Sequence, residues 1–254
     1  MTATNDKATI ISIAVIASAA ATLLHEGLGH GVTAWLRGDI PTEITSNHLS
    51  AVHEDPWVDA AGTLVNLLVG AISLIFSKTA GSGANLRYFW WILSALNLLP
   101  GAGYFMYSGI FGVGDWQAVI RDLPHQVWLR VAMTILGLVL YVYVVRLLAI
   151  AVKPFCPVAS LYNDVGRLPY YAAGLFSCAA GALDPLGLKL FFVATVAAAF
   201  GGSSGLMWAD SFLPAKPDDE ALAVKRQPAW WCAAVVLGVL YILFIGRGVK
   251  LGHS

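Results

Sequence analysis

From Ile10 to Leu36 the chain carries no charge except in one hexapeptide, His25-Glu26-Gly27-Leu28-Gly29-His30. A helix needs about 20 mainly apolar residues to cross a bilayer, and this run is long enough. Two imidazoles and a carboxylate are expensive at membrane depth, so their default reading is functional. His and Glu packed this tightly point to a metal site with a general base beside it. The competing reading is a hydrogen-bonded polar cluster that stabilises helix packing.

A zinc hydrolase needs three protein ligands, an open position for water and a base to take that water's proton. The familiar His-Glu-x-x-His pattern puts two ligands at i and i+4 on one helical face. Here His25 and His30 are five apart. On a regular α-helix such residues point about 140° away from each other. A π-bulge closes i to i+5 and would bring them together. Gly27, Gly29 and Gly31 ease that distortion, since glycine tolerates it best. The spacing therefore predicts a widened turn between His25 and His30, with Glu26 next to a metal-bound water.

The rest of the composition suits lipid. Of 254 residues, 58% are hydrophobic and 12% charged, about half the charged share of a soluble domain. Lys+Arg and Asp+Glu balance at 15 each, so charge gives no reason to expect a nucleic-acid partner. Cys156, Cys178 and Cys232 are odd in number, far apart and without a CxxC, and read as apolar residues. With only Lys7 ahead of it and ionisable groups inside it, the first apolar run reads as a retained membrane helix and not a signal peptide.

Hydropathy suggests an all-α, polytopic bundle of six transmembrane helices. The first four fall near Ala8–Leu36, Trp57–Phe76, Tyr88–Phe111 (interrupted near Pro100-Gly101) and Val127–Val152. Tyr170–Trp208 is too long for one span, and Asp184-Pro185 should split it into a short piece and a full span. The last lies near Trp230–Ile245. Counting the short piece would make seven. Residues 1–125 form the expected catalytic core of three spans, and 126–254 the additional spans, with a polar loop near 210–227. Trp and Tyr flank many of the ends, as interfacial rings do.

Alternating spans bring the end of span 1, the start of span 2 and the end of span 3 to one side. That side collects His48, His53, Glu54, Asp55 and Asp115. Most Lys and Arg fall on the opposite side, so the positive-inside rule puts the N-terminus in the cytoplasm and the site near the outer leaflet. Asp115, in Gly114-Asp115-Trp116-Gln117, is the preferred third ligand. The competing ligand is His53, at the mouth of span 2. The bland reading of Asp115 is a cap on the short amphipathic stretch that follows.

Several stretches resemble the site-2 protease family of intramembrane zinc metalloproteases. His25-Glu26-Gly27-Leu28-Gly29-His30 is similar to that family's zinc-binding helix. Ala61-Gly62-Thr63-Leu64-Val65-Asn66 looks like its Ala-Gly-Pro-x-x-Asn stretch, with Thr63 in place of Pro. Asn97-Leu98-Leu99-Pro100 is similar to its Asn-x-x-Pro, which precedes an Asp-Gly third ligand. Here position 105, where that Asp would fall, is Phe105, and Asp115 comes later in a Gly-Asp-Trp. The likeness spans about Ala8 to Leu123. It implies a three-helix core, zinc held by His25, His30 and an aspartate, Glu26 as general base, and Asn66 and Asn97 binding substrate backbone or ordering the site.

The expected function is thus a membrane zinc metalloendopeptidase, located in the cell membrane and acting on membrane proteins or peptides. The alternative is a non-catalytic, metal-binding relative that regulates or binds a partner helix. A small-solute transporter would call for interrupted helices in matching halves, and no internal repeat supports one.

Overall fold

The computed structural model describes residues 4–79, 83–213 and 221–252. Helix α1 runs over Lys7–Leu36 and is π-helical from Leu24 to Gly31. Asp6 starts it by accepting the Thr9 N–H at 2.9 Å, the usual N-terminal cap. Two short strands follow, β1 (Pro41–Ile44) and β2 (Leu49–Ala51). Helix α2 covers Pro56–Lys78. Its start is written in the sequence: Asp55 accepts the Trp57 N–H at 2.8 Å and Pro56 occupies the first turn.

Helix α3 (Ala84–Phe111) continues through Pro100 and ends at Gly112, which sits in the left-handed region at φ 66°. Gly114, at φ 83°, makes a second turn of that hand before the short helix α4 (Asp115–Ile120). These two positive-φ glycines reverse the chain and aim Asp115 back at α1. Helix α5 (Gln126–Val152) follows, then α6 (Leu168–Gly181). Helix α7 spans Leu188–Phe212 and α8 spans Pro228–Ile245. The chain breaks at Asp184-Pro185, between α6 and α7, as the sequence suggests.

Among the described residues, five helices, α1, α2, α5, α7 and α8, are long and apolar enough to cross a membrane. The third expected span, α3, is 28 residues long but is not among the five. It carries Asn85, Arg87 and Asn97, and it lies at the centre of the bundle, with Trp91, Ile92 and Leu99 fully buried. Helix α3 is thus shielded by protein more than by lipid. Outward-facing residues such as Leu68, Ile75, Val139, Val235 and Phe244 are exposed, as on a lipid-facing surface.

Helix packing in lipid gains little from the hydrophobic effect, because lipid is as apolar as leucine. Close approach of small residues and interhelical hydrogen bonds take over. A side chain at Gly137 of α5 would collide with the Met106 backbone of α3. Trp91 donates to the Leu148 carbonyl at 3.1 Å, and Ser94 to the Gly70 carbonyl at 2.7 Å.

One addition to the all-helical expectation is a small antiparallel sheet in the order β2-β1-β3. Strand β3 is Val249–Lys250, so residues beyond the last span return to pair with β1. Part of the expected polar loop, residues 214–220, lies outside the described residues.

Candidate metal centre

The widened turn is present. The π-helical segment covers the whole hexapeptide, and it turns both imidazoles toward α2. The two Nε2 atoms are 3.1 Å apart. Asp115 Oδ2 lies 3.4 Å from each of them. Tetrahedral bonds of about 2.0–2.1 Å put neighbouring donors about 3.3–3.4 Å apart. The three atoms therefore have the spacing of one face of a tetrahedral shell such as zinc takes.

Proton accounting points the same way. His30 Nδ1 is 2.7 Å from the Val58 carbonyl oxygen, which can only accept, so Nδ1 carries the hydrogen. The Nε2 of a neutral His30 is then a bare lone pair, aimed at the other two donors. A backbone carbonyl that fixes the tautomer of a ligand histidine is a common partner outside the coordination sphere. Asp115 Oδ2 is buried and accepts no hydrogen bond among the described residues. A buried carboxylate oxygen facing a lone pair suits a cation between them.

The room for that cation comes from glycines. A Cβ on Gly62 would lie 2.7 Å from His25 Nε2 and would also collide with His30 Nε2. A Cβ on Gly29 would lie 2.6 Å from Gly62 Cα. Gly29 and Gly62 thus let α1 and α2 touch backbone to backbone and keep the space beside the rings open. The donor set and the cradle fit zinc.

Asp115 is held by the Tyr104 hydroxyl, which donates to Oδ1 at 3.2 Å. The Tyr104 ring also lies edge-on to His25, with centroids 6.1 Å apart. Asp115 is the first residue of α4 and not its cap, a position taken by Gly114. Glu26 is 5% exposed and its Oε2 has no hydrogen-bond partner among the described residues. One carboxylate oxygen of Glu26 and one ring nitrogen from each histidine lie within 4.8 Å of one another.

Other expected site residues lie apart. His53, the competing ligand, pairs instead with Asp39, Nδ1 to Oδ1 at 3.1 Å, and its side chain is 79% exposed. Asn66 and Asn97 are buried on α2 and α3, each with an unpartnered carbonyl oxygen. Asn97 Nδ2 donates to the Leu93 carbonyl at 2.7 Å. No hydrogen bond joins either asparagine to the histidines among the described residues.

Three contributors escaped the sequence reading. Gly62 sits in the Ala61-Gly62 stretch but was not marked as part of the site. Tyr104 follows Asn97 by seven residues, two turns along the same face of α3, and that spacing was its only signal. The Val58 carbonyl had none, because a backbone oxygen has no residue type.

At the rim, Arg37 Nε donates to Asp55 Oδ2 at 2.6 Å and Arg121 pairs with Glu54 at 2.8 Å. The Arg37 guanidinium holds the Asp55 carboxyl below the usual range, against a smaller opposing effect of burial. For Asp39, partial burial acts upward, but hydrogen bonds from the Ile40 N–H and from His53 outweigh it and keep the carboxyl low.

Compared with known proteins, the chain matches no family model, no curated protein and no solved structure.

Proposed function

We propose that this chain is an integral membrane zinc metalloprotease of the cell membrane that hydrolyses peptide bonds of membrane proteins or peptides at or within the bilayer. The observation that carries the reading is the triangle of His25 Nε2, His30 Nε2 and Asp115 Oδ2, with edges of 3.1, 3.4 and 3.4 Å, beside a buried carboxylate. The resemblance of three of its stretches to the site-2 proteases supports the same reading.

Zinc bound there would polarise a peptide carbonyl and lower the pKa of a bound water to about 7. Glu26, with an oxygen free of protein partners, takes the proton from the attacking water and returns it to the leaving amine. Tyr104 and the Val58 carbonyl hold Asp115 and His30 in place. Asn66 and Asn97 offer free carbonyl oxygens to the N–H groups of an extended substrate. The burial of Glu26 favours a second reading, a metal-holding regulator that cleaves nothing.

The decisive pair of variants is Glu26→Gln and His25→Ala, each assayed for zinc content and for cleavage of a transmembrane peptide in vesicles. Glu26→Gln should keep its zinc and lose cleavage, and His25→Ala should lose both. A Glu26→Gln protein that cleaves at the wild-type rate would overturn the mechanism. A wild type that holds zinc but cleaves no membrane peptide supports the regulator.

A further inference from the structure

The β1–β2 hairpin packs on the metal helix. Ile44 lies over Gly27, 3.7 Å from where a Cβ would stand, and Leu49 lies over Gly31 at 3.0 Å by the same measure. Glu26 precedes Gly27 on this stretch and is 5% exposed. A substrate that is to meet Glu26 needs some cover to move. The hairpin, which spans no membrane, packs on the residue next to Glu26 and on Gly31.

The hairpin tip is gripped by the distant half of the chain. Asn47 Nδ2 donates to Asp184 Oδ2 at 3.0 Å. Thr195 Oγ1 donates to Asn47 Oδ1 at 2.6 Å. His48 Nδ1 lies 3.5 Å from the same Asp184 oxygen. The Asp184 side chain is fully buried, and its other oxygen accepts the Leu186 N–H at 2.9 Å. A buried carboxylate held by several donors marks an ordered junction, because releasing any donor leaves charge unsatisfied. Thr195 reaches the junction because Gly181 of α6 leaves room for it.

We infer that the β1–β2 hairpin is a lid over the Glu26 flank of the metal centre, and that Asp184 and Thr195 latch it shut. The inference rests on the proposed metal site and gives the spans after residue 126 a role: they hold the lid. Opening it means exchanging the bonds of Asn47 and His48 to Asp184, and the bond of Thr195 to Asn47, for bonds to water, with the rest of the sheet left paired.

Two variants release the latch from opposite sides, Asn47→Ala and Asp184→Ala. A third locks it: Asn47→Cys with Thr195→Cys, cross-linked in a chain whose three native cysteines are replaced by alanine. The first readout is the rate at which a soluble chelator strips zinc from purified protein. The second is labelling of Ile44→Cys, in the same cysteine-free background, by a water-soluble maleimide. Both rates should rise about tenfold on release, the scale of one lost hydrogen bond to a charged group. Stripping should slow by a similar factor in the cross-linked chain and recover on reduction. Unchanged stripping and labelling in the released and locked proteins would overturn the lid. A wild type that binds no zinc would sink the metal reading instead, and maleimide labelling would then decide the lid alone. If a released variant does not fold, the cross-linked chain decides.

Discussion

The Tyr104 hydroxyl donates to one oxygen of Asp115 at 3.2 Å, while the other oxygen stands 3.4 Å from both imidazoles. One carboxylate thus has its two oxygens in separate settings, one anchored by Tyr104 and one facing both imidazoles, where the proposed metal would sit. Removing the anchor should loosen the ligand without deleting it. Tyr104→Phe is expected to fold and to bind zinc about 10- to 100-fold more weakly, the usual range for partners of metal ligands. Competition with a fluorescent zinc chelator measures this directly. An unchanged affinity would remove Tyr104 from the site.

Gly62 offers a sharper probe. A methyl group there would stand 2.7 Å from His25 Nε2 and crowd both imidazoles. Gly62→Ala should therefore abolish zinc binding, while helix content by circular dichroism stays near wild type. Ala is otherwise the better helix former, by about 1 kcal/mol, so loss of metal could not be ascribed to a weaker helix.

Asp115 and His53 compete as third ligand in the sequence, and their surroundings separate them. Asp115→Ala should lose zinc at sub-micromolar concentrations. His53→Ala should keep full stoichiometry, because His53 is exposed and bound to Asp39. Metal analysis of the two purified variants side by side makes the test.

Acid should act first on the loop before α2. Asp39 and Asp55 are both held below their ordinary carboxyl range. A depressed carboxyl stabilises the fold above its unfolded value of about 3.9 and loses that contribution as pH falls through the folded value. The loop should therefore stay protected at pH 5 and open below about pH 4. Hydrogen exchange at the His53 and Trp57 amides, corrected for the intrinsic rate, reports it. Those two N–H groups donate to Asp39 and Asp55.

Much of the centre was legible because ionisable groups in an apolar run have so few physical explanations. The five-residue spacing demanded a π turn, and the glycines made one affordable. Counting spans placed Asp115 on the correct side. Helix α3 stands apart in that count: its length suits a span, but its polar residues belong to a helix buried by its neighbours. Short strands were beyond reach: Leu49–Ala51 and Val249–Lys250 are too brief to carry an alternating pattern. In the sequence, Asp184 reads only as part of the break that splits a long apolar run. In the fold it binds the Leu186 N–H, and its second oxygen answers to Asn47, 137 residues away.

That last strand also sets an order of events during synthesis. Strand β1 is made early, yet its partner on one side is Val249–Lys250. Until Val249–Lys250 has been made, that edge of β1 has no mate and its backbone groups are open to pairing with other chains. A nascent protein would hold the hexapeptide under a half-built cover until Val249–Lys250 joins the sheet.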